Sequence, residues 1–181
     1  MRRRKAAYVD EAYEPGPGGG YVLAAVVAPS DTAALRRELS DALQLRGQDR
    51  PHFTKEDHKR RVVLAESVAG LGLPATVVVE RSAGRALRER GRCLATLAWE
   101  LDEEVDAIVF ESRGRQQDQH DAWALARIAQ YGPRFTTRFV RPTAEPALWV
   151  ADIIASAVFQ DVVRGNPAYR GAVGDLRIVS L

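Results

Sequence analysis

A single acid, Asp152, interrupts the otherwise apolar run Pro146-Ala-Leu-Trp-Val-Ala-Asp152-Ile-Ile-Ala155. A stretch this uniformly apolar belongs on a helix buried around most of its circumference. A carboxylate left there without a partner costs about 3–5 kcal/mol. The fold must therefore bring a compensating group to Asp152, and a cation is the simplest. Two other apolar runs end in acids: Asp10-Glu11 closes Ala6-Ala-Tyr-Val9, and Glu111 closes Ala107-Ile-Val-Phe110. Three apolar elements that each carry a carboxylate suggest a metal site built across a sheet.

The elements follow from periodicity and punctuation. Residues 6–13 read as a strand, and Glu14-Pro-Gly-Pro-Gly-Gly-Gly20 as a turn or flexible loop. Residues 21–28 form a second strand, apolar on both faces and so central; the two pair as an antiparallel hairpin. A helix with Ser30 or Asp31 as N-cap runs to about Leu45 and shows Leu35, Leu39 and Leu43 on one face. Residues 46–51 are polar and irregular, 55–71 helical, and 74–80 a β-branched strand. A long helix over 84–104 is read from Leu87, Leu94, Leu97 and Leu101, and a fourth strand over 106–111. A helix at 118–131, a short strand at 135–140, a final helix at 145–163 and a brief strand at 176–179 complete the chain. The order predicts an α/β layered sandwich, a five-stranded mixed sheet flanked by helices, in one domain over residues 1–181.

Composition narrows the partners. The formal net charge is only +2, yet the pI is about 8.9 and the basic residues are nearly all arginine. Arginine grips phosphate bidentately, so a nucleic-acid partner is permitted; arginine-rich coding bias explains the same balance. One cysteine, Cys93, rules out both a disulfide framework and a thiolate zinc cluster, and its apolar helical setting makes it an inert core residue. No stretch approaches the roughly 18 apolar residues of a membrane span. Met-Arg-Arg-Arg-Lys is not followed by a signal-type apolar core, because Asp10 and Glu11 interrupt it, so a cytoplasmic protein is expected.

Strand alternation sets Asp10 and Glu11 on opposite faces unless the strand bends. Asp10 shares a face with Tyr8 and Ala6, and Glu111 one with Val109 and Ala107 at the carboxyl end of its strand. Ligands of open α/β sheets collect at such ends, and a helix laid across the sheet brings Asp152 to the same place. An all-carboxylate set of this kind suits Mg²⁺ or Mn²⁺ rather than zinc. Arg113 and Arg115, next to Glu111, are candidate substrate-binding residues that contact phosphates, as is the run Lys59-Arg60-Arg61; a solvated face is the competing reading. His120 is either a mobile acid/base near the metals or part of a helix-start cluster of capping acids. His58 reads as solvated, and Glu80, at the end of the third strand, as a reserve ligand.

Tyr8-Val-Asp10-Glu11, the mid-chain His52-Phe53 and Leu148-Trp-Val-Ala-Asp152-Ile-Ile-Ala155 together resemble domain-of-unknown-function family 3800. That family's pattern is an early Asp-Glu-Ser-Gly, a mid-chain His-Phe and a late Gln-Leu-Ala-Asp-Leu. The likeness covers most of the chain in order. Ala12-Tyr13 replaces Ser-Gly, and Trp149 falls within the late motif. The resemblance implies a ribonuclease H-like fold and metal-assisted phosphodiester cleavage, with Asp10, Glu111 and Asp152 holding one or two ions. Two ions about 4 Å apart would stabilise the attacking and leaving oxygens. Glu111 stands where Asp is usual, which lengthens that ligand by one methylene. The resemblance also implies a site role for His52, as phosphate contact or proton shuttle, with Glu11 assisting. Two other readings stay open: a small-molecule phosphoester hydrolase, and a non-catalytic nucleic-acid- or partner-binding module with a degenerate site.

Overall fold

The glycine- and proline-rich turn folds β1 (Lys5–Glu14) back onto β2 (Gly20–Pro29) as an antiparallel hairpin, with Asp10 opposite Ala24. The computed structural model describes residues 5–30, 33–81, 86–101 and 105–181, apart from the side chains of Ala86 and Leu87. Asp31 as N-cap, residues 84–85 and 102–104 at the ends of the expected long helix, and the Leu87 side chain lie outside the described residues. Gly20 is required where β2 begins. A Cβ there would meet Val163 Cγ2 at 2.9 Å and the Glu80 carbonyl oxygen at 3.0 Å.

β2 is apolar on both faces and lies inside the sheet, as its sequence predicts. β3 (Ala75–Glu80) pairs with it antiparallel. On the other side of the hairpin, β4 (Ala107–Glu111) lies parallel to β1, and β5 (Thr136–Val140) parallel to β4. The sheet order is β5-β4-β1-β2-β3-β6. The expectation of five strands is corrected to six among the described residues. The closing segment Arg177–Ser180 joins as β6, parallel to β3, with Thr76 opposite Arg177. It is a four-residue edge strand, mostly exposed, so it lacks the apolar alternation that announces a buried one.

Alternation along β1 divides the core in two. Ala6 and Tyr8 pack with Val22, Ala24 and Val26 beneath α5 (Ala147–Val162), α1 (Ala33–Leu43) and α2 (His58–Gly70). Ala7 and Val9 pack with Leu23, Ala25 and Phe110 beneath α3 (Ala86–Glu100) and α4 (Arg115–Ala129). α2 starts at His58, three residues later than expected, because Asp57 caps it by accepting the Arg60 N–H at 2.8 Å. α5 lies across β1 and β2. Val150, Ile153, Ile154 and Val158 are fully buried there. At about 1.5–3 kcal/mol each, these four outweigh the cost of carrying one acid inside. Burial of the helix thus dictates where Asp152 goes. Among the described residues, no helix is long and apolar enough to cross a membrane.

Candidate functional site

β1 and β4 run parallel in the register Val9 to Phe110, so one step further Asp10 and Glu111 stand side by side on the α5 face. Their carboxyl groups are close enough that each disfavours a second negative charge beside it. α5 brings Asp152 to the same place. The Asp152 Oδ2 accepts the main-chain N–H of Phe53 at 3.3 Å and lies 3.9 Å from Nδ1 of His52, while the Ser156 hydroxyl donates to Oδ1 at 3.5 Å. Arg50 Nη1 donates to Glu111 Oε2 at 3.1 Å. The three carboxylates, Arg50 and His52 line one cavity of about 220 Å³ at the carboxyl ends of the two strands.

Burial and crowding set the charge state. Desolvation pushes the Asp10 carboxyl well above its usual 3.8; the neighbouring Asp152 and Glu111 push it the same way, and Arg50 opposes them. Desolvation also raises Asp152, against the pull of His52, the Phe53 N–H and Arg50. Burial and crowding thus make the charged form of the two aspartates costly. The donors are all hard oxygens, half-buried or buried and mutually repelling, and a divalent cation relieves that repulsion. In chemistry the residues fit Mg²⁺ or Mn²⁺. Among the described residues, however, no three His, Cys, Asp or Glu side chains close around a single point as a finished cage.

Glu11 faces the other side of the strand, as alternation requires. Its carboxylate is paired with Arg90 and with Arg113 Nη1, the latter at 2.6 Å. The buried Arg90 also donates from Nε to Asp121 Oδ1 at 2.9 Å and from Nη1 to the Tyr21 hydroxyl at 2.6 Å. Glu11 borders the cavity but is held in this ion cluster, joined to Asp10 through its own N–H, which donates to Asp10 Oδ1 at 2.8 Å. Arg113 also lines the cavity. Its loop is fastened by Asp118, which accepts from Ser112 Oγ at 2.7 Å and from the Arg113 N–H at 2.9 Å. Gly114, at φ 99°, supplies the left-handed turn into α4.

The remaining candidates lie elsewhere. Arg115 and His120 are exposed on α4, and neither lines the cavity; the His120 ring tilts against Trp123 at 6.1 Å. The alternative of a helix-start cluster of capping acids describes this segment better, since Asp118 braces the loop and Asp121 is buried against Arg90. His58 is not merely solvated: its Nδ1 is 2.9 Å from the Tyr169 hydroxyl. Arg61 donates to the carbonyl oxygens of Phe53 at 2.9 Å and Thr54 at 2.7 Å, and so anchors the His52 loop. Glu80 is not a reserve ligand; it is buried on the α3 face, 2.7 Å from Arg92. Cys93 is a core residue whose thiol burial pushes up to about 12. Arg50, Ser156, Arg90 and Asp121 were not legible as site residues. Arg50 in particular sits in an irregular polar loop with no periodic signal.

No protein-family model matches the sequence, and no curated protein matches it significantly. Solved structures do match in shape. Ribonuclease H2 from Pyrococcus horikoshii OT3 superposes with a TM-score of 0.60 at 14% identity, over 89% of this chain and 74% of its own. Bst-RNase HIII in complex with Mn²⁺ superposes with a TM-score of 0.53 at 17% identity, over 90% of this chain and 54% of its own. A point mutant of Bst-RNase HIII gives 0.55 at 16%. The fold is therefore ribonuclease H-like, a mixed α/β sheet flanked by helices. The particular neighbours are ribonucleases of the HII and HIII kind, and the chain spans about half the length of the Bst-RNase HIII structures.

Proposed function

We propose that this chain is a divalent-metal-dependent nuclease of the ribonuclease H-like class, akin to domain-of-unknown-function family 3800, working as a single domain in the cytoplasm. The observation that carries the reading is the meeting of Asp10, Glu111 and Asp152, from three separate elements, at the carboxyl ends of β1 and β4. A fold neighbour solved with Mn²⁺ supports the choice of ion.

Asp10, Glu111 and Asp152 would hold one or two Mg²⁺ or Mn²⁺ ions. Such ions, when bound, lower the pKa of water and neutralise charge on the transferring phosphoryl group. His52 stands at the cavity wall, where its ring can contact a phosphate or carry a proton. Arg113 presents a guanidinium beside the same cavity.

One observation favours a polymeric substrate over a small phosphoester. A second cavity of about 240 Å³ shares Glu11, His52 and Asp152 with the first and continues past Tyr13, Thr54 and Arg164. Two adjoining cavities that share a wall offer more contact length than a small phosphoester needs, which suits a nucleic-acid strand.

The test is Mn²⁺-dependent cleavage of labelled single-stranded RNA, DNA and an RNA–DNA hybrid by the purified chain. Cleavage that EDTA and Asp10→Asn both remove is the expected result. No cleavage of any of the three, with a small phosphodiester hydrolysed instead, moves the reading to a small-molecule enzyme. No hydrolysis and no Mn²⁺ binding leave a binding module.

A further inference from the structure

We infer that Arg50 is a resident counter-cation, holding in the metal-free chain the electrostatic place that a divalent ion would take, and so competing with that ion for the carboxylates. The inference rests on the metal-binding part of the proposed function. Its basis is the position of Arg50 rather than any motif. Arg50 lies 3.1 Å from Glu111 and lines the cavity with Asp10 and Asp152. Its charge favours the ionised form of both aspartates as well, so one guanidinium acts on all three acids.

The loop carrying Arg50 is built to hold it there. Gln44 Nε2 donates to the carbonyl oxygens of Gln48 and Asp49, the latter at 3.1 Å. Gln48 Nε2 in turn donates to Glu56 Oε1 at 2.7 Å. Pro51 follows at once and restricts Arg50 itself to extended backbone. Yet the pair is not sealed: the side chains of Arg50 and Glu111 keep 25% and 24% of their surface. An ion pair half-open to water exchanges partners easily, unlike the buried Arg90 cluster. Arg50 therefore makes a removable plug, and Arg90 a permanent one.

Removing a unit charge about 5 Å from a divalent ion, screened by the solvent that reaches this pair to an effective dielectric of about 80, predicts roughly ten-fold or more in affinity. The experiment is titration of Mn²⁺ into the full chain, followed by isothermal calorimetry and by loss of the free Mn²⁺ paramagnetic resonance signal. Arg50→Gln should bind Mn²⁺ about ten-fold more tightly than wild type, and Arg50→Lys should stay close to wild type. Arg50→Met, which keeps the stem without the charge, should repeat the Arg50→Gln result should the amide variant fold poorly. Wild type and both neutral variants binding Mn²⁺ equally, or the neutral variants binding more weakly, overturns the counter-cation while leaving the metal site standing. Absence of Mn²⁺ binding in all of them overturns the metal site and the counter-cation together.

Discussion

The main-chain N–H of Phe53 donates to the Asp152 carboxylate at 3.3 Å, joining two points 99 residues apart in the chain. The Phe53 ring is fully buried beneath that bond and meets Tyr169 edge-on at 5.3 Å. Packing of one side chain thus sets the direction of the N–H that receives the acid. Phe53→Ala should cost about 3–5 kcal/mol in urea unfolding. It should also weaken Mn²⁺ binding in calorimetry, because the donor that orients Asp152 loses its anchor.

Asp10→Asn and Asp152→Asn should each cut Mn²⁺-dependent cleavage by at least about 100-fold, since an ion supplies several kcal/mol at ten-fold per 1.36 kcal/mol. Both should leave the metal-free chain at least as stable as wild type by thermal unfolding. A ligand defect without a folding defect is the signature sought; a fall in melting temperature with cleavage intact would remove these residues from the site.

Burial and crowding raise Asp10 and Asp152 above their ordinary 3.8. A carboxyl whose pKa is higher in the folded chain takes up a proton on folding. Its stabilising contribution is complete below the unfolded value and is lost as pH rises through the folded one. In EDTA, the stability of Asp10→Asn relative to wild type should therefore grow as pH climbs above about 4. Mn²⁺ should narrow that gap by stabilising wild type. Melting curves across pH, with and without Mn²⁺, check both signs; a gap that shrinks with pH would refute the argument.

Arg90 has no such freedom. Its side chain is only 5% exposed, between Glu11 and Asp121. Arg90→Met would strand the Asp121 carboxylate in a buried place and should cost about 3–5 kcal/mol by chemical denaturation. Glu11→Gln should be milder and should leave Mn²⁺ affinity near wild type, because Glu11 is turned to the opposite face and held there by arginines.

Most of the architecture was legible in the chain because it is written in periodicity. β2 announced itself as central by being apolar on both faces, and α5 as buried by its apolar circumference. The closing segment reads as a brief strand, but an exposed four-residue edge strand has no burial pattern to assign it to the sheet, which is why five strands were expected there. Alternation foretold that Asp10 and Glu11 would part. It could not foretell that Glu11 would meet Arg90 and Arg113, since those contacts cross 79 and 102 residues of sequence. Arg115 and His120 both follow Glu111 closely along the chain. α4 turns that nearness outward, and leaves only Arg113 of the three at the cavity.

By itself, the sequence determined that three apolar elements must each carry an acid and that Asp152 must ride a helix the core demands. Those are consequences of local pattern and of the cost of exposing apolar surface. Only the tertiary structure decided which groups answer those acids. The parallel register of β1 and β4 placed Asp10 beside Glu111, and the crossing of α5 brought Asp152 to them. A braced loop then supplied Arg50, His52 and the Phe53 N–H as their partners. Charge compensation acts through space over a few ångströms, and chain order carries no record of which distant residues come that close.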